Sequence, residues 1–89
     1  MYFGEDSIYL EFSRKDIPDS DFGIPSLRKY PMHDEKHVRL AIKFFNRCPK
    51  GYEKELAKNI DKKINELKVI NINPTDKNKF FDYSKIIYR

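Results

Sequence analysis

The sequence predicts an α+β fold in which a helical hairpin packs on a small antiparallel sheet of two or three strands. Two amphipathic stretches separated by a short break predict the hairpin, and short alternating or β-branched segments on either side of them predict the strands. A length of 89 residues with 39% hydrophobic and 15% aromatic content suits one small core. We therefore expect a single domain over residues 1–89, with a strand-like extension at 1–15, a core module at 16–83 and a tail at 84–89.

Two segments have the pattern of a short strand. Residues 7–12 alternate apolar and polar side chains, which is typical of a half-buried strand. Residues 69–72 are rich in β-branched side chains and are followed by Asn73 and Pro74, a pair that ends strands. We predict that these two segments pair to form the sheet.

The segment 16–32 contains Pro18, Gly23, Pro25 and Pro31. Each proline disfavours helix at the residue before it, so we predict an extended, ordered loop. The apolar residues of this segment argue against a free linker, and we expect the loop to lie across the core. These residues are Ile17, Phe22, Ile24 and Leu27.

Two amphipathic helices are predicted after this loop. Asp34 is the expected N-cap of a first helix over 36–48, whose apolar face turns Cys48 inward. After a short break the helical pattern resumes over 52–67. Because the break is short, we expect the two helices to be neighbours in a hairpin. The apolar stripe of the second helix is formed by Leu56, Ala57, Ile60, Ile64 and Leu67.

A basic face on the first helix is the most directional feature of the sequence. On an ideal helix these basic residues fall within an arc of about 80° that contains no acidic residue, and they form a line roughly 20 Å long. Such a line can follow the phosphates of a nucleic acid or an acidic patch on a protein, or it can simply keep the protein in solution. The residues are Lys36, Arg39, Lys43, Arg47 and Lys50.

Three aromatic residues, Tyr30, Phe44 and Tyr52, lie near basic residues in the sequence. They can stack on nucleic-acid bases, as aromatic residues do in single-strand binders. They can also belong to the core, because a chain of this size needs most of its aromatic side chains to fill its interior. Both roles stay open on the sequence alone.

Few residues could support a metal site or a nucleophile. His33 and His37 are four positions apart, with Asp34 and Cys48 as further potential ligands. If Asp34 caps the helix, however, His33 lies outside it and the helical spacing is lost. Cys48 would lie roughly 16 Å from His37 on a continuous helix, too far to form a nucleophile pair. We predict no metal, no cofactor and no enzymatic activity.

The apolar stretches of the chain are only a few residues long, against about 20 for a membrane span. The single cysteine, Cys48, cannot form an internal disulfide, which fits a reducing compartment. We therefore predict a cytoplasmic protein that does not associate with membranes. The oligomeric state is open, with a homodimer among the alternatives.

Several motifs resemble a small phage- and prophage-associated domain of unknown function. They are the Phe-Gly-Ile-Pro and Arg-Lys-Tyr-Pro motifs within 21–32, the His-Val-Arg start and Phe-Phe end of the helix within 37–46, the Leu-Ala pair of the second helix and the Asn-Lys-Phe motif at 78–80. The resemblance covers residues 21–83. It implies a phage context and the cytoplasm of a host cell, but no activity and no catalytic residue. Because little lies outside the matching region except residues 1–15, the resemblance favours a small stand-alone accessory protein.

Three functions remain open. The first is a non-enzymatic, phage-encoded interaction protein that inhibits a host or defence component through surface charge and aromatic contacts. The second is a nucleic-acid-binding accessory module that uses the basic face on phosphates. The third is a structural component of the virion.

Overall fold

Residues 17–86, which a computed structural model describes, form the predicted α+β fold. The strand predicted at 7–12 lies outside the described residues. The described strands and α-helices are, in chain order, β1 (Phe22–Ile24), β2 (Lys29–Pro31), α1 (Glu35–Lys43), α2 (Glu53–Leu67) and α3 (Phe80–Tyr83). β1 packs on α2, β2 packs on α1, and the two long helices pack on each other, so the sheet bridges the helical hairpin.

The sheet is formed by the proline-containing segment 16–32, which we predicted to be a loop. β1 and β2 pair antiparallel, with Phe22 opposite Pro31 and Ile24 opposite Lys29. A short 3-10 turn connects the strands, and Arg28 completes the connection in the left-handed conformation at φ 50°. The described part of this segment, 17–32, does lie across the core as expected, but as a β-hairpin, and Leu27 is 39% exposed.

The prolines are compatible with these strands because of their positions. Pro25 begins the 3-10 turn after β1, and Pro31 is the last residue of β2. A proline at such a position is tolerated because no ladder hydrogen bond is required from its nitrogen. The next backbone bond of the hairpin is made by Met32, whose N–H donates to the carbonyl of Asp21 at 2.7 Å.

The prediction of a strand at 69–72 is wrong, because this segment is an irregular loop. Lys68 and Asn71 adopt the left-handed conformation, with φ of 55° and 62°, which interrupts an extended backbone. Val69 is buried and its N–H donates to the carbonyl of Ile64, which closes the C-terminus of α2. The Val69 backbone therefore closes the helix and its side chain covers the core, whereas Ile70 is exposed.

The helix predicted over 36–48 is shorter in the structure. Asp34 is its N-cap, as expected, and the Asp34 carboxylate accepts the N–H of His37 at 2.8 Å. The helix ends at Lys43, and a 3-10 turn over Phe45–Arg47 follows it. Cys48 lies partly buried against the core, which agrees with the predicted inward orientation.

Helix α2 agrees closely with the prediction over 52–67. Most of the predicted stripe is buried, but Leu67 is 38% exposed because it lies in the last turn. The Asn59 side chain donates to the carbonyl of Gly23 at 2.8 Å, and Lys63 forms an ion pair with Asp21. These contacts attach the helix to β1.

The C-terminal segment packs against the core through its aromatic residues. Phe80 is fully buried, and its ring lies edge-on to that of Phe45 with 5.7 Å between the centroids. The buried Asp61 carboxylate accepts the hydroxyl of Ser84 at 2.6 Å and the N–H of Lys85 at 2.7 Å. Within residues 17–86, no helix combines the length and the apolar character that a bilayer crossing needs.

Candidate interaction surface

The predicted basic residues do not form one helical line. Lys36, Arg39 and Lys43 belong to α1, whereas Arg47 lies in the 3-10 turn and Lys50 in the following loop. The single arc predicted on an ideal helix is therefore wrong, because the helix ends before the last two residues. All of these side chains except Arg39 are exposed.

Arg39 contributes to the fold rather than to a free basic surface. Its guanidinium donates to the Glu35 carboxylate from Nε at 3.0 Å and from Nη2 at 2.9 Å. Nη2 also donates to the carbonyl oxygen of Ile70 at 2.5 Å. This residue therefore holds the loop after α2 against α1, and Glu35 offsets its charge.

Lys43 and Arg47 lie next to the partly buried ring of Phe44. The Lys43 Nζ is 5.5 Å from the ring centroid and the Arg47 Cζ is 4.8 Å from it, both within cation–π range. We call Lys43, Phe44 and Arg47 the basic–aromatic cluster. A nucleobase stacking on this ring would compete with cations that already contact it.

A shallow groove of about 270 Å³ lies beside this cluster, between α1 and the loop 71–78. Arg39 and Lys43 line it together with three asparagines of the loop. Its apolar lining is provided by Ile42, Ile72 and Phe81. The groove therefore combines apolar contact area with positive charge and amide groups.

Two asparagines fix the loop that forms one wall of the groove. Asn46 donates to the carbonyl of Lys77 and accepts the N–H of Lys79, both at 2.8 Å. Asn78 donates to the carbonyl of Ile42 at 2.7 Å and so satisfies a backbone group near the end of α1. These contacts could not be predicted, since asparagines in a polar loop usually indicate only a turn.

Tyr30 and Tyr52, two of the three candidate aromatic contacts, pack partly buried against the core. The Tyr30 hydroxyl donates to the carbonyl of Phe44 at 2.9 Å. Burial, reinforced by the negative form of Cys48 and opposed by Arg47, raises the pKa of Tyr30 to about 12. Tyr30 therefore stays protonated at neutral pH and ties the end of α1 to β2.

We expect Tyr30→Phe to lower the free energy of unfolding by about 0.5–1.5 kcal/mol, because it leaves the Phe44 carbonyl without this hydroxyl donor. The measurement is urea unfolding followed by circular dichroism. Tyr52→Phe is the matched control and should cost less, since the structure assigns no hydrogen bond to the Tyr52 hydroxyl among the described residues. Equal losses in the two variants would contradict this role of Tyr30.

The Cys48 thiol is not poised for nucleophilic chemistry. Burial, followed by the nearby carboxylates of Glu53 and Glu55, raises the pKa of Cys48 to about 11. The thiol donates weakly to the carbonyl of Pro49 at 3.4 Å. A thiol with this pKa is almost entirely protonated at neutral pH, whereas the thiolate is the reactive form.

His33, Asp34 and His37 come together at the start of α1. The cap does place His33 outside the helix, yet the His33 and His37 ring centroids are 4.2 Å apart. We argued against a metal site because a capping Asp34 would place His33 outside the helix and away from His37. That argument is wrong, because the chain before the cap folds back over the first turn of the helix. Burial alone would raise the pKa of Asp34, but the hydrogen bonds from His37 and the nearby imidazoles together lower it.

No family model, curated protein or solved structure matches this chain. The resemblance to a phage-associated domain therefore stays a prediction from the motifs in residues 21–83. The candidate site rests on the geometry of the described residues.

Proposed function

We propose that this chain is a non-enzymatic interaction protein that binds an acidic segment of a partner protein. The groove beside the basic–aromatic cluster carries the proposal, because it places apolar lining next to the Lys43 ammonium. An acidic segment with one apolar side chain complements this combination. The apolar side chain would occupy the groove and its neighbouring carboxylates would face the cations.

The distribution of the basic residues over the surface favours a protein partner over a nucleic acid. Phosphates are best matched by a continuous run of cations, since each neutralised phosphate adds to affinity. Arg39 interrupts that run, because it is bonded to Glu35 and to the loop carbonyl of Ile70. A short charged cluster beside an apolar groove suits a peptide better than a backbone of evenly spaced phosphates.

The size of the groove also suits a side chain. At about 270 Å³ it lies just below the range typical of small-molecule pockets, which starts near 300 Å³. It is open and shallow, and its two walls are held by Arg39 and Asn78. Such a site is preformed for one or two apolar side chains, which reduces the entropy cost of binding.

The phage-like motifs support a host or defence component as the partner, and inhibition in the host cytoplasm as the outcome of binding. A small protein that covers an acidic surface of a host factor needs no chemistry of its own. Nucleic-acid binding and a place in the virion remain the alternative predictions.

The proposal predicts that Lys43→Glu combined with Arg47→Glu lowers affinity for an acidic peptide by at least about tenfold, through charge reversal beside the groove. The probe is a fluorescein-labelled peptide with a central leucine flanked by glutamates, measured by fluorescence anisotropy. Lys58→Glu combined with Lys62→Glu is the control, because both residues are exposed on α2 and the net charge changes equally. The control should bind like the wild type.

Labelled single- and double-stranded DNA and RNA form the second arm of the experiment. An affinity that rises with the length of the nucleic acid, falls steeply with salt concentration and exceeds the affinity for the peptide would overturn the proposal in favour of the nucleic-acid module. Replacing the central leucine of the peptide with serine should weaken binding if the groove takes an apolar side chain. A purified host protein captured from lysate should then form a stoichiometric complex that the same charge reversal disrupts.

A further inference from the structure

The start of α1 carries a cluster of metal-ligating side chains, separate from the groove. One ligand atom from each of His33, Asp34 and His37 lies within 4.8 Å of the others. His37 is 2% exposed, His33 24% and Asp34 50%, so the cluster extends from the core to the surface. These residues take no part in the proposed interaction surface.

The fold positions each of the three side chains. Asp34 is held by its role as N-cap, where its carboxylate accepts the backbone N–H of His37. His37 is fixed by burial in the first turn of the helix. His33 follows Met32, which is fully buried and so anchors the chain just before the cluster.

The Asp34 carboxylate lies between the two imidazoles. Its Oδ1 is 2.6 Å from Nδ1 of His37, and its Oδ2 is 3.6 Å from Nε2 of His33. The two rings are tilted by 34° relative to each other. Nitrogen and oxygen donors bound to one zinc ion at about 2.0–2.2 Å are roughly 3.4 Å apart in a tetrahedral site. The ligand atoms, one from each residue, lie within 4.8 Å of one another, so small side-chain rotations would bring them to that spacing.

We propose that His33, Asp34 and His37 form a binding site for a divalent transition-metal ion such as Zn²⁺. Two imidazoles and a carboxylate match the ligand preferences of zinc, and three protein ligands leave a fourth position for water or a partner's side chain. The metal takes the place of the contact between Asp34 Oδ1 and His37 Nδ1, and His37 binds it as a neutral imidazole whose one proton is on Nε2. Binding then crosslinks the segment before α1 to its first turn.

The test is calorimetric titration of Zn²⁺ into the full chain after dialysis against a chelator. All proteins in the series carry Cys48→Ser, which removes the only thiol. We expect saturable binding of one ion per chain and a rise in the melting temperature with zinc, since the ion binds the folded state. Co²⁺ titration should give the visible absorption of a nitrogen- and oxygen-ligated site.

Two variants separate ligation from folding. His33→Gln removes a partly exposed ligand, and Asp34→Ser removes the carboxylate while keeping a side-chain oxygen that can cap the helix. Both should abolish saturable binding and retain the wild-type circular dichroism spectrum. Glu35→Gln, which removes the adjacent carboxylate outside the cluster, should bind zinc normally. Absence of saturable binding in the parent protein, or undiminished binding in both variants, would overturn the proposal.

Discussion

Phe80→Ala is expected to lower the free energy of unfolding by about 3–5 kcal/mol, the largest effect that we predict for a single substitution. Phe80 is fully buried, and its ring lies edge-on to Phe45 at 5.7 Å and to Phe81 at 5.1 Å. Truncation to alanine removes these contacts and leaves a cavity that the helices on either side can fill only in part. Small domains are stable by about 5–15 kcal/mol, so this loss is a large share of the total.

Urea unfolding followed by circular dichroism measures this effect. Ile70→Ala is the control: Ile70 is 66% exposed, so its truncation should change stability by less than about 0.5 kcal/mol. If Phe80→Ala does not fold, Phe80→Leu retains most of the apolar volume and should fold with a loss of about 1.5 kcal/mol or less. A loss below 1 kcal/mol in Phe80→Ala, on the order of a surface substitution, would show that this ring is not part of the core.

Phe80 also links the core to the candidate interaction surface. Its N–H donates to the Asn78 side chain at 2.9 Å, and Asn78 in turn donates to the Ile42 carbonyl of α1. Asn78, Ile42 and Phe81 all line the groove. Phe80→Ala keeps this N–H, but it removes the buried ring that fixes the segment carrying Asn78 and Phe81. Peptide binding should therefore weaken together with stability, even though Phe80 does not line the groove.

The helices were predictable because their signals are local. Apolar residues at helical spacing fixed the position of α2 to within one residue, and the Asp34 cap was visible as an acidic residue before a helical run. The position at which α1 ends could not be predicted from the local sequence. The Tyr30 hydroxyl and the Asn78 amide bind carbonyls at that end, and both come from distant parts of the chain.

The sheet could not be predicted from periodicity. β1 is buried over all three of its residues, Phe22, Gly23 and Ile24, so it shows no alternation of apolar and polar side chains. Residues 69–72 have the composition of a strand, but the carbonyl of Ile70 accepts a hydrogen bond from Arg39, which is 31 positions away in the sequence. Both errors arise where tertiary contacts, rather than local preference, decide the backbone.

The candidate site was predictable only in part. The sequence correctly marked Lys43, Phe44 and Arg47 as neighbouring cations and an aromatic ring, since they lie within five residues of each other. It could not place the groove, because one wall comes from α1 and the other from the loop 71–78. The contact between His33 and His37 was likewise hidden, since the chain before the cap folds back on the helix.

Gly23→Ala is expected to lower the free energy of unfolding by about 1–3 kcal/mol, because the added methyl group overfills the contact between β1 and α2. A Cβ at this position would lie 2.3 Å from Cδ1 of Leu56 and 3.0 Å from Cβ of Tyr30. Leu56 is fully buried, so its side chain can move only into other core residues. The Tyr30 Cβ cannot move without its backbone, which already has φ of 62°.

A double-mutant cycle with Leu56→Ala distinguishes this steric effect from the general cost of replacing a glycine. Removing the Leu56 methyl groups makes room for the new Cβ, so Gly23→Ala should cost less in the Leu56→Ala background than in the wild type. Gly51→Ala is the control, because Gly51 has φ of 96° and no atom lies within 4 Å of an added Cβ. Its cost comes from the backbone conformation alone, about 1–2 kcal/mol, and should be the same in both backgrounds. If Gly23→Ala is equally costly in both, the close approach of β1 to α2 is not what requires glycine at this position.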